Sequence, residues 1–175
     1  ETARHVGTLT HRYLQQMADS TLTDWHVSKL EQYKTAISNG LKNLGTDSTE
    51  LAMASEKVLT ALKNTLSDER GLWILDKHAQ SKNEYALTAH AGNEFKRFII
   101  DRTFIDENNI RWIIDYKTGS HEGSDRDFFL DREQQRYQLQ LEHYAALMQQ
   151  LDNRTIKLGL YFPMLKGWRE WQYAE

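Results

Sequence analysis

The 175-residue chain contains no cysteine. This absence excludes disulfides, thiolate catalysis, cysteine-ligated zinc and cysteine-bound iron–sulfur clusters. Any metal site must therefore be built from oxygen and imidazole ligands. The chain also lacks the run of roughly 18 apolar residues that a membrane span requires. We therefore expect no membrane among its partners.

The chain has no surplus of basic residues either. Its 22 Lys and Arg are outnumbered by 25 Asp and Glu, which leaves a net charge of −3. Free-standing DNA-binding domains usually carry a basic excess, because phosphate contacts supply most of their non-specific affinity. A DNA substrate would have to be held by local basic clusters or delivered by a larger assembly. Residue 1 is Glu rather than Met, and we expect the chain to be a piece of a longer polypeptide.

Apolar spacing predicts one domain, residues 1–175, with a helical part at 1–80 and a strand-rich core at 81–175. In the helical part we expect a helix capped by Thr8, a second after Thr23 and a third opened by a capping box of Asp47 and Glu50. The core is predicted to contain strands at 84–88, 95–105, 110–118, 156–162 and 168–173, and a long helix at 132–151. This order indicates the α+β class.

Two apolar strands of the predicted core are joined by the polar loop 106–109. With the turn centred on Asn108, residues whose numbers sum to 216 lie opposite each other. Asp101 and Asp115 satisfy this sum, and the Cβ atoms of such partners are about 4.5–5.5 Å apart. Lys117 lies two residues beyond Asp115 and points to the same face. The hairpin is therefore predicted to bring two carboxylates and an ammonium group together.

Opposed acids of this kind favour a cation between them. Like charges directly opposite on a sheet are unfavourable, and each acid follows apolar residues, Phe98-Ile99-Ile100 before Asp101 and Trp112-Ile113-Ile114 before Asp115. Bare carboxylates at the ends of such strands would be costly. A divalent cation such as Mg²⁺ removes the repulsion and leaves coordination positions for water and phosphate. The alternative is that Asp-x-Lys forms an ordinary surface pair.

Three segments resemble the RecB-type branch of the PD-(D/E)XK nucleases. Residues 99–119, IIDRTFIDENNIRWIIDYKTG, are similar to its core motif, in which an Asp precedes an Asp-Tyr-Lys tripeptide on the next strand. Residues 7–11, GTLTH, resemble its Gly-x-x-x-His motif, and residues 136–148, RYQLQLEHYAALM, resemble its Gln-x-x-x-Tyr helix. The three motifs occur in the expected order and together span most of the chain.

The resemblance implies two sets of site residues. The implied metal ligands, for Mg²⁺ or a substituting Mn²⁺, are His11, Asp101, Asp115 and the backbone carbonyl of Tyr116. The implied catalytic residues are Asp101, Asp115, Lys117, Gln140 and Tyr144. Gln140 and Tyr144 are four residues apart and so share a helix face.

Other interpretations of these residues stay open. Without the resemblance, His11 would be a packing or surface histidine, and Gln140 and Tyr144 would be ordinary helix residues. Glu84 resembles a recurring acidic position of the family. However, the predicted turn at residues 91–93 does not place it on the face of Asp101, and we leave it out of the predicted site.

Three arginines near the loop after Lys117 are candidates for phosphate contacts. They are Arg126, Arg132 and Arg136. The alternative is a solvated charged face, in which these cations are balanced by nearby acids. Those acids are Asp125, Asp127, Asp131 and Glu133.

The resemblance implies a restriction-endonuclease-like core, with a mixed β-sheet and a central antiparallel hairpin flanked by helices. The implied activity is Mg²⁺-dependent DNA hydrolysis, with exonuclease action in double-strand break repair and recombination. Some relatives hold an iron–sulfur cluster on four cysteines, so the lack of cysteine favours the cluster-free RecB or AddA kind. These belong to bacterial, cytoplasmic, ATP-dependent helicase–nucleases, which implies a helicase domain in the same chain or in a partner subunit. Two alternatives to a nuclease stay open. The first is a catalytically silent DNA-binding module of the same fold, and the second is a docking domain whose acids merely bind a cation.

Overall fold

A computed structural model describes residues 1–174. The chain divides into two compact units. The first contains residues 1–76 together with the short segments 117–120 and 162–167. The second contains residues 77–116, 121–161 and the described residues from 168 onward.

The first unit is helical. Its elements are α1 (Thr2–Asp19), the 3₁₀ helices Leu22–Asp24 and Val27–Tyr33, α2 (Lys34–Asn43), α3 (Leu51–Leu66) and α4 (Glu69–Leu75). Apolar residues three or four apart form one buried stripe along each longer helix. In α3 this stripe includes Ala54, Val58 and Leu62, all fully buried.

Both predicted helix caps in this unit are wrong. α1 begins at Thr2, so Thr8 lies inside the helix. The Asp47 carboxylate accepts hydrogen bonds from the backbone and the hydroxyl of Thr49, at 2.8 and 2.6 Å. Such a local turn competes with helix capping, and α3 begins only after Glu50.

Two further parts of the first unit differ from the prediction. The segment after Thr23 forms 3₁₀ turns as far as Tyr33, where a helix was expected. The short helix α4 was not predicted, because its seven residues hold fewer than two full apolar repeats. Short elements of this kind depend on tertiary packing more than on local pattern.

The second unit contains one five-stranded sheet and a long helix. Its elements are β1 (Ala79–Ala91), β2 (Glu94–Ile105), β3 (Arg111–Tyr116), α5 (Arg126–Gln149), β4 (Ile156–Phe162) and β5 (Gly167–Gln172). The strand order is β1-β2-β3-β4-β5. Pairing is antiparallel between β1 and β2 and between β2 and β3, and parallel between β3 and β4. The predicted α+β class, with an antiparallel hairpin in a mixed sheet, is confirmed.

The β2–β3 hairpin has the expected register. Arg102 pairs with Ile114 and Thr103 with Ile113, and both pairs sum to 216. All six residues of β3 are buried, as expected for a strand whose two faces are both covered. The register therefore brings Asp101 and Asp115 to adjacent positions just beyond the last of these pairs.

Helix α5 begins earlier than predicted. The Asp125 carboxylate accepts a 2.9 Å hydrogen bond from the backbone N–H of Phe128 and caps the helix. Helix α5 therefore contains six residues before Arg132. An Asp at this position stabilises the start of a helix, because its carboxylate accepts a hydrogen bond from a backbone N–H that otherwise has no partner. Among residues 1–174, no helix combines the length and the apolar composition that crossing a bilayer requires.

A buried ion pair connects the start of β3 with the segment that follows α5. The Arg111 guanidinium donates from Nε to Oδ2 of Asp152 at 2.8 Å and from Nη2 to Gln80 at 2.6 Å. Arg111 and Asp152 are both less than one-tenth exposed. Burial opposes ionisation of Asp152, but hydrogen bonds from Arg111 and Arg154 outweigh it and hold the pKa below its usual value.

We expect Arg111→Met to lower the free energy of unfolding by about 3–5 kcal/mol, since removing one partner leaves a buried charge poorly compensated. Urea denaturation measures the loss. The matched control is Arg154→Met, which removes the more exposed of the two cations near Asp152 and should cost no more than about 1 kcal/mol. Equal losses in the two variants would contradict the assignment.

Candidate functional site

Three carboxylates lie in one row across β1, β2 and β3. The β1–β2 register pairs the residues on both sides of Glu84 with those on both sides of Asp101, so these two acids are opposite each other. The β2–β3 register brings Asp115 to the other side of Asp101. Neighbouring strands are roughly 4.8 Å apart. Asp101 is therefore the middle acid of the row.

Contacts within the second unit agree with this register. Oδ2 of Asp101 accepts a hydrogen bond of 2.9 Å from the backbone N–H of Tyr116. Carboxylate oxygens of Glu84 and Asp101 lie within 4.8 Å of each other. Asp115 is only 7% exposed. Glu84 and Asp101 thus have oxygen atoms close enough to share a cation, and the register places the buried Asp115 beside Asp101.

Asp101 resists ionisation in this position. Burial raises its pKa well above the usual value, the charge of Asp115 raises it further, and Glu84 adds a smaller effect in the same direction. The hydrogen bond from the Tyr116 backbone acts in the opposite direction. Because the carboxylate is destabilised by its surroundings, a bound cation would restore its charged form.

The prediction that Glu84 does not lie on the face of Asp101 is wrong. The turn between β1 and β2 has two residues, Gly92 and Asn93, where three were assumed, and Ala91 pairs directly with Glu94. A one-residue error in a turn moves every side chain of the strand to another partner. The signal was present in the sequence, since Gly-Asn is a common two-residue hairpin turn.

Glu84 also has an unusual backbone conformation. Its φ is +49°, in the left-handed region. For a residue with a side chain this costs roughly 1–2 kcal/mol. Such conformations concentrate at functional sites, where the surrounding structure enforces them.

Gln140 and Tyr144 lie together on α5, as their spacing predicts. Nε2 of Gln140 donates a hydrogen bond of 3.0 Å to the Tyr144 hydroxyl. The Tyr144 ring is 6.1 Å from the ring of Phe98 on β2, three residues before Asp101. Tyr144 is buried. This contact places the pair against the strand that carries the middle acid, and its catalytic role stays a prediction.

The remaining two residues of the predicted centre lie in the first unit. His11 is half-buried in the middle of α1, and Lys117 is half-buried and directly follows the last residue of β3. Ligation by His11 and by the backbone carbonyl of Tyr116 stays a prediction, as does catalysis by Lys117.

The three arginines proposed for DNA all lie on the first three turns of α5. Arg126 is 3.8 Å from Asp127 and Arg136 is 3.7 Å from Glu133, while Arg132 lies 5.7 Å from the centre of the Phe128 ring. Two of the three thus have acidic neighbours, as the charged-face alternative expects. Their contact with DNA stays a prediction.

The mixed five-stranded sheet, its antiparallel hairpin and the flanking helices define a restriction-endonuclease-like α+β fold. The sequence profile of the PD-(D/E)XK nuclease superfamily matches residues 1–173. The chain therefore belongs to the PD-(D/E)XK nuclease superfamily. No curated protein sequence matches the chain.

Proposed function

We propose that this protein is a divalent-metal-dependent deoxyribonuclease with Glu84, Asp101, Asp115 and Lys117 at its centre. The observation that supports this function most is the row of three carboxylates on adjacent strands. Repulsion within such a row disfavours the metal-free, ionised state. Membership of a superfamily of nucleases supports DNA as the substrate.

The donor atoms fit a hard divalent cation. Carboxylate and carbonyl oxygens are the ligands that Mg²⁺ and Mn²⁺ prefer, and burial together with the Asp115 charge opposes ionisation of Asp101 in the absence of a cation. The resemblance adds the backbone carbonyl of Tyr116 and the imidazole of His11 to the ligands. When bound, the ion polarises the scissile phosphate and lowers the pKa of a coordinated water.

In the proposed reaction, water attacks phosphorus in line with the leaving oxygen. The bond between phosphorus and the 3′ oxygen breaks, the water oxygen stays on phosphorus, and the products carry a 5′-phosphate and a 3′-hydroxyl. The attacking water loses a proton to solvent, and the leaving oxygen gains one. Lys117 donates hydrogen bonds to the water and offsets the negative charge of the transition state. Gln140 and Tyr144 act as positioning residues.

A metal titration on an end-labelled oligonucleotide tests this function. We expect no cleavage in EDTA, and cleavage to products with 5′-phosphates as Mg²⁺ or Mn²⁺ is added. DNA binding without cleavage at any metal concentration would instead identify a silent DNA-binding module. Cation binding without DNA binding would identify a docking domain. Either outcome would reject the nuclease.

Glu84 should contribute chiefly to metal affinity. Glu84→Gln removes one charge from the row and leaves Asp101 and Asp115 in place. We expect the Mg²⁺ concentration at half-maximal activity to rise at least about 10-fold, the scale that altered ligand environments produce. Excess Mg²⁺ should restore most of the turnover.

The control for Glu84 is Glu107→Gln. Glu107 is exposed in the β2–β3 loop, so this variant makes the same chemical change away from the acidic row. Its Mg²⁺ dependence should match that of the parent protein. If Glu84→Gln also matched the parent, Glu84 would not belong to the centre.

The resemblance carries a proposal for the biological setting as well. We propose that the chain acts as the exonuclease part of a RecB- or AddA-type helicase–nuclease in bacterial double-strand break repair and recombination. A net charge of −3 supports delivery of DNA by a helicase partner, since an acidic protein gains little non-specific affinity for phosphate. Degradation of long DNA only when a helicase and ATP are present would agree with this setting.

A further inference from the structure

The β1–β2 hairpin extends beyond the rest of the sheet. β3 pairs with β2 only at residues 102–105, and the Tyr116 N–H bond to Asp101 marks its end. Residues 85–91 of β1 and 94–100 of β2 continue as a two-stranded ribbon that starts beside Glu84 and Asp101. We call this segment the ribbon.

One face of the ribbon packs at the end near the acidic row and is exposed at Glu94 and Lys96, whereas the other face is exposed along its whole length. Leu87 and Ile100 are buried, and the Phe98 ring lies 4.7 Å from His143 of α5. The opposite face, called the outer face, is formed by the exposed residues Ala86, Thr88, His90, Phe95, Arg97 and Ile99. The register pairs them in three exposed cross-strand pairs.

The outer face combines exposed rings with a cation. Phe95 is 70% exposed and Ile99 is 40% exposed. The ring of His90 lies 4.2 Å from that of Phe95, and Arg97 lies between Phe95 and Ile99 on this face, whereas Lys96 points to the opposite face. The face carries no carboxylate among its described residues, although the whole chain is acidic.

We propose that the outer face binds the single-stranded part of a DNA substrate and guides it to the acidic row. This inference rests on the proposed function, because the ribbon begins at the proposed catalytic acids. Bases of a single strand stack on exposed aromatic rings, and Arg97 binds the backbone phosphate. Six residues separate Phe95 from Asp101, about 20 Å of strand. This distance spans at most about six nucleotides at the 3.4 Å spacing of a stacked strand.

Single-stranded DNA fits this face better than a duplex does. Duplex binding depends on several phosphate contacts, and the outer face has a single permanent cation. Paired bases are not available for stacking on Phe95 and His90, whereas the bases of a single strand are. Stacking on Phe95 therefore requires unpaired bases.

Binding of a fluorescein-labelled 12-mer of thymidylate, in EDTA to prevent cleavage, tests the proposal on the full chain. We expect Phe95→Ala to weaken binding by about 5- to 150-fold, the loss that one base–aromatic stack produces. Phe95→Tyr should restore affinity, because it keeps the ring. Arg97→Ala should reduce the slope of log affinity against log salt by about 0.7, the value for one phosphate contact on a single strand.

Two exposed residues away from the ribbon provide matched controls. Leu139→Ala removes an apolar side chain that is 81% exposed on α5, and Lys42→Ala removes an exposed cation on α2. Both should bind the 12-mer within twofold of the parent protein. Single-strand affinity of Phe95→Ala within that same range would overturn the proposal, as would a loss confined to a 12-base-pair duplex.

The two proposals fail in different ways. Metal-dependent cleavage of a small chromogenic phosphodiester by the parent protein tests only the acidic centre. If the parent cleaves this diester but Phe95→Ala binds the 12-mer normally, the ribbon proposal fails alone. If the 12-mer binds through Phe95 but nothing is cleaved with any divalent metal, the nuclease fails and ribbon binding stands.

Discussion

Replacing Asp101 with asparagine is expected to lower metal-dependent DNA hydrolysis by at least about 10³-fold, the scale of losing a group that organises charge in the transition state. Asp101 is the middle acid of the row, and the amide keeps the shape and still accepts the hydrogen bond from Tyr116. The charge that attracts a cation is lost. Initial cleavage rates at saturating Mg²⁺ measure the effect.

The loss in Asp101→Asn should come from chemistry rather than unfolding. Glu107→Gln makes the same type of change in the exposed loop of the same hairpin, and we expect it to retain the parent rate. Asp101→Asn with more than about one-tenth of the parent activity would be incompatible with a centre at this acid.

Stability should change in the opposite direction to activity. Because burial and Asp115 raise the pKa of folded Asp101, its contribution to stability is present below the unfolded pKa of about 3.9 and is lost as pH rises through the folded pKa. In EDTA, Asp101→Asn should therefore gain in Tm over the parent as pH increases from 4 to 8. A shift of about 2–4 °C corresponds to roughly 1 kcal/mol in a domain of this size. A Tm difference that is constant with pH would contradict this account.

Lys117→Ala is expected to reduce kcat by about 10²–10³-fold, the loss typical of removing one group that stabilises transition-state charge. Lys117 is a cation and not a metal ligand in the proposed reaction, so the Mg²⁺ dependence should stay close to that of the parent. Lys117→Arg should recover only a small part of the rate, because a planar guanidinium does not replace a compact ammonium group. Single-turnover cleavage over a range of Mg²⁺ concentrations separates the two effects.

Lys29→Ala is the control for Lys117, because Lys29 is an exposed lysine on the 3₁₀ helix before α2. It should cleave at the parent rate. If Lys117→Ala weakened Mg²⁺ binding and left kcat intact, Lys117 would act on the metal site instead of the transition state. A parent-like rate in Lys117→Ala would remove it from the mechanism altogether.

Local sequence patterns were sufficient to predict the register of the β2–β3 hairpin. The polar loop 106–109 between two apolar strands predicted the register, because loop length sets the pairing of strands that are neighbours in sequence. The same reasoning failed for Glu84 through an error of one residue in the turn after Ala91. The register of a hairpin can therefore be predicted from sequence only when the length of its turn is predicted correctly.

Positions set by distant contacts were not predictable in this way. Parallel pairing of β3 with β4 joins strands separated by the whole of α5, and no local pattern specifies such a partner. The start of α3 and the 3₁₀ segment after Thr23 likewise depart from local preference. Helix capping and helix propensity contribute only about 1 kcal/mol each, so tertiary packing overrides them.

The sequence by itself determined the superfamily motifs, the α+β class and the facing of Asp101 and Asp115, since each depends on residue types at short spacing. Only the tertiary structure decided that Tyr144 packs against β2, and that one face of the ribbon is exposed along its whole length while the other packs only near the acidic row. The physical reason is that burial and charge repulsion depend on which strands and helices become neighbours. Those neighbours are set by the packing of the whole unit.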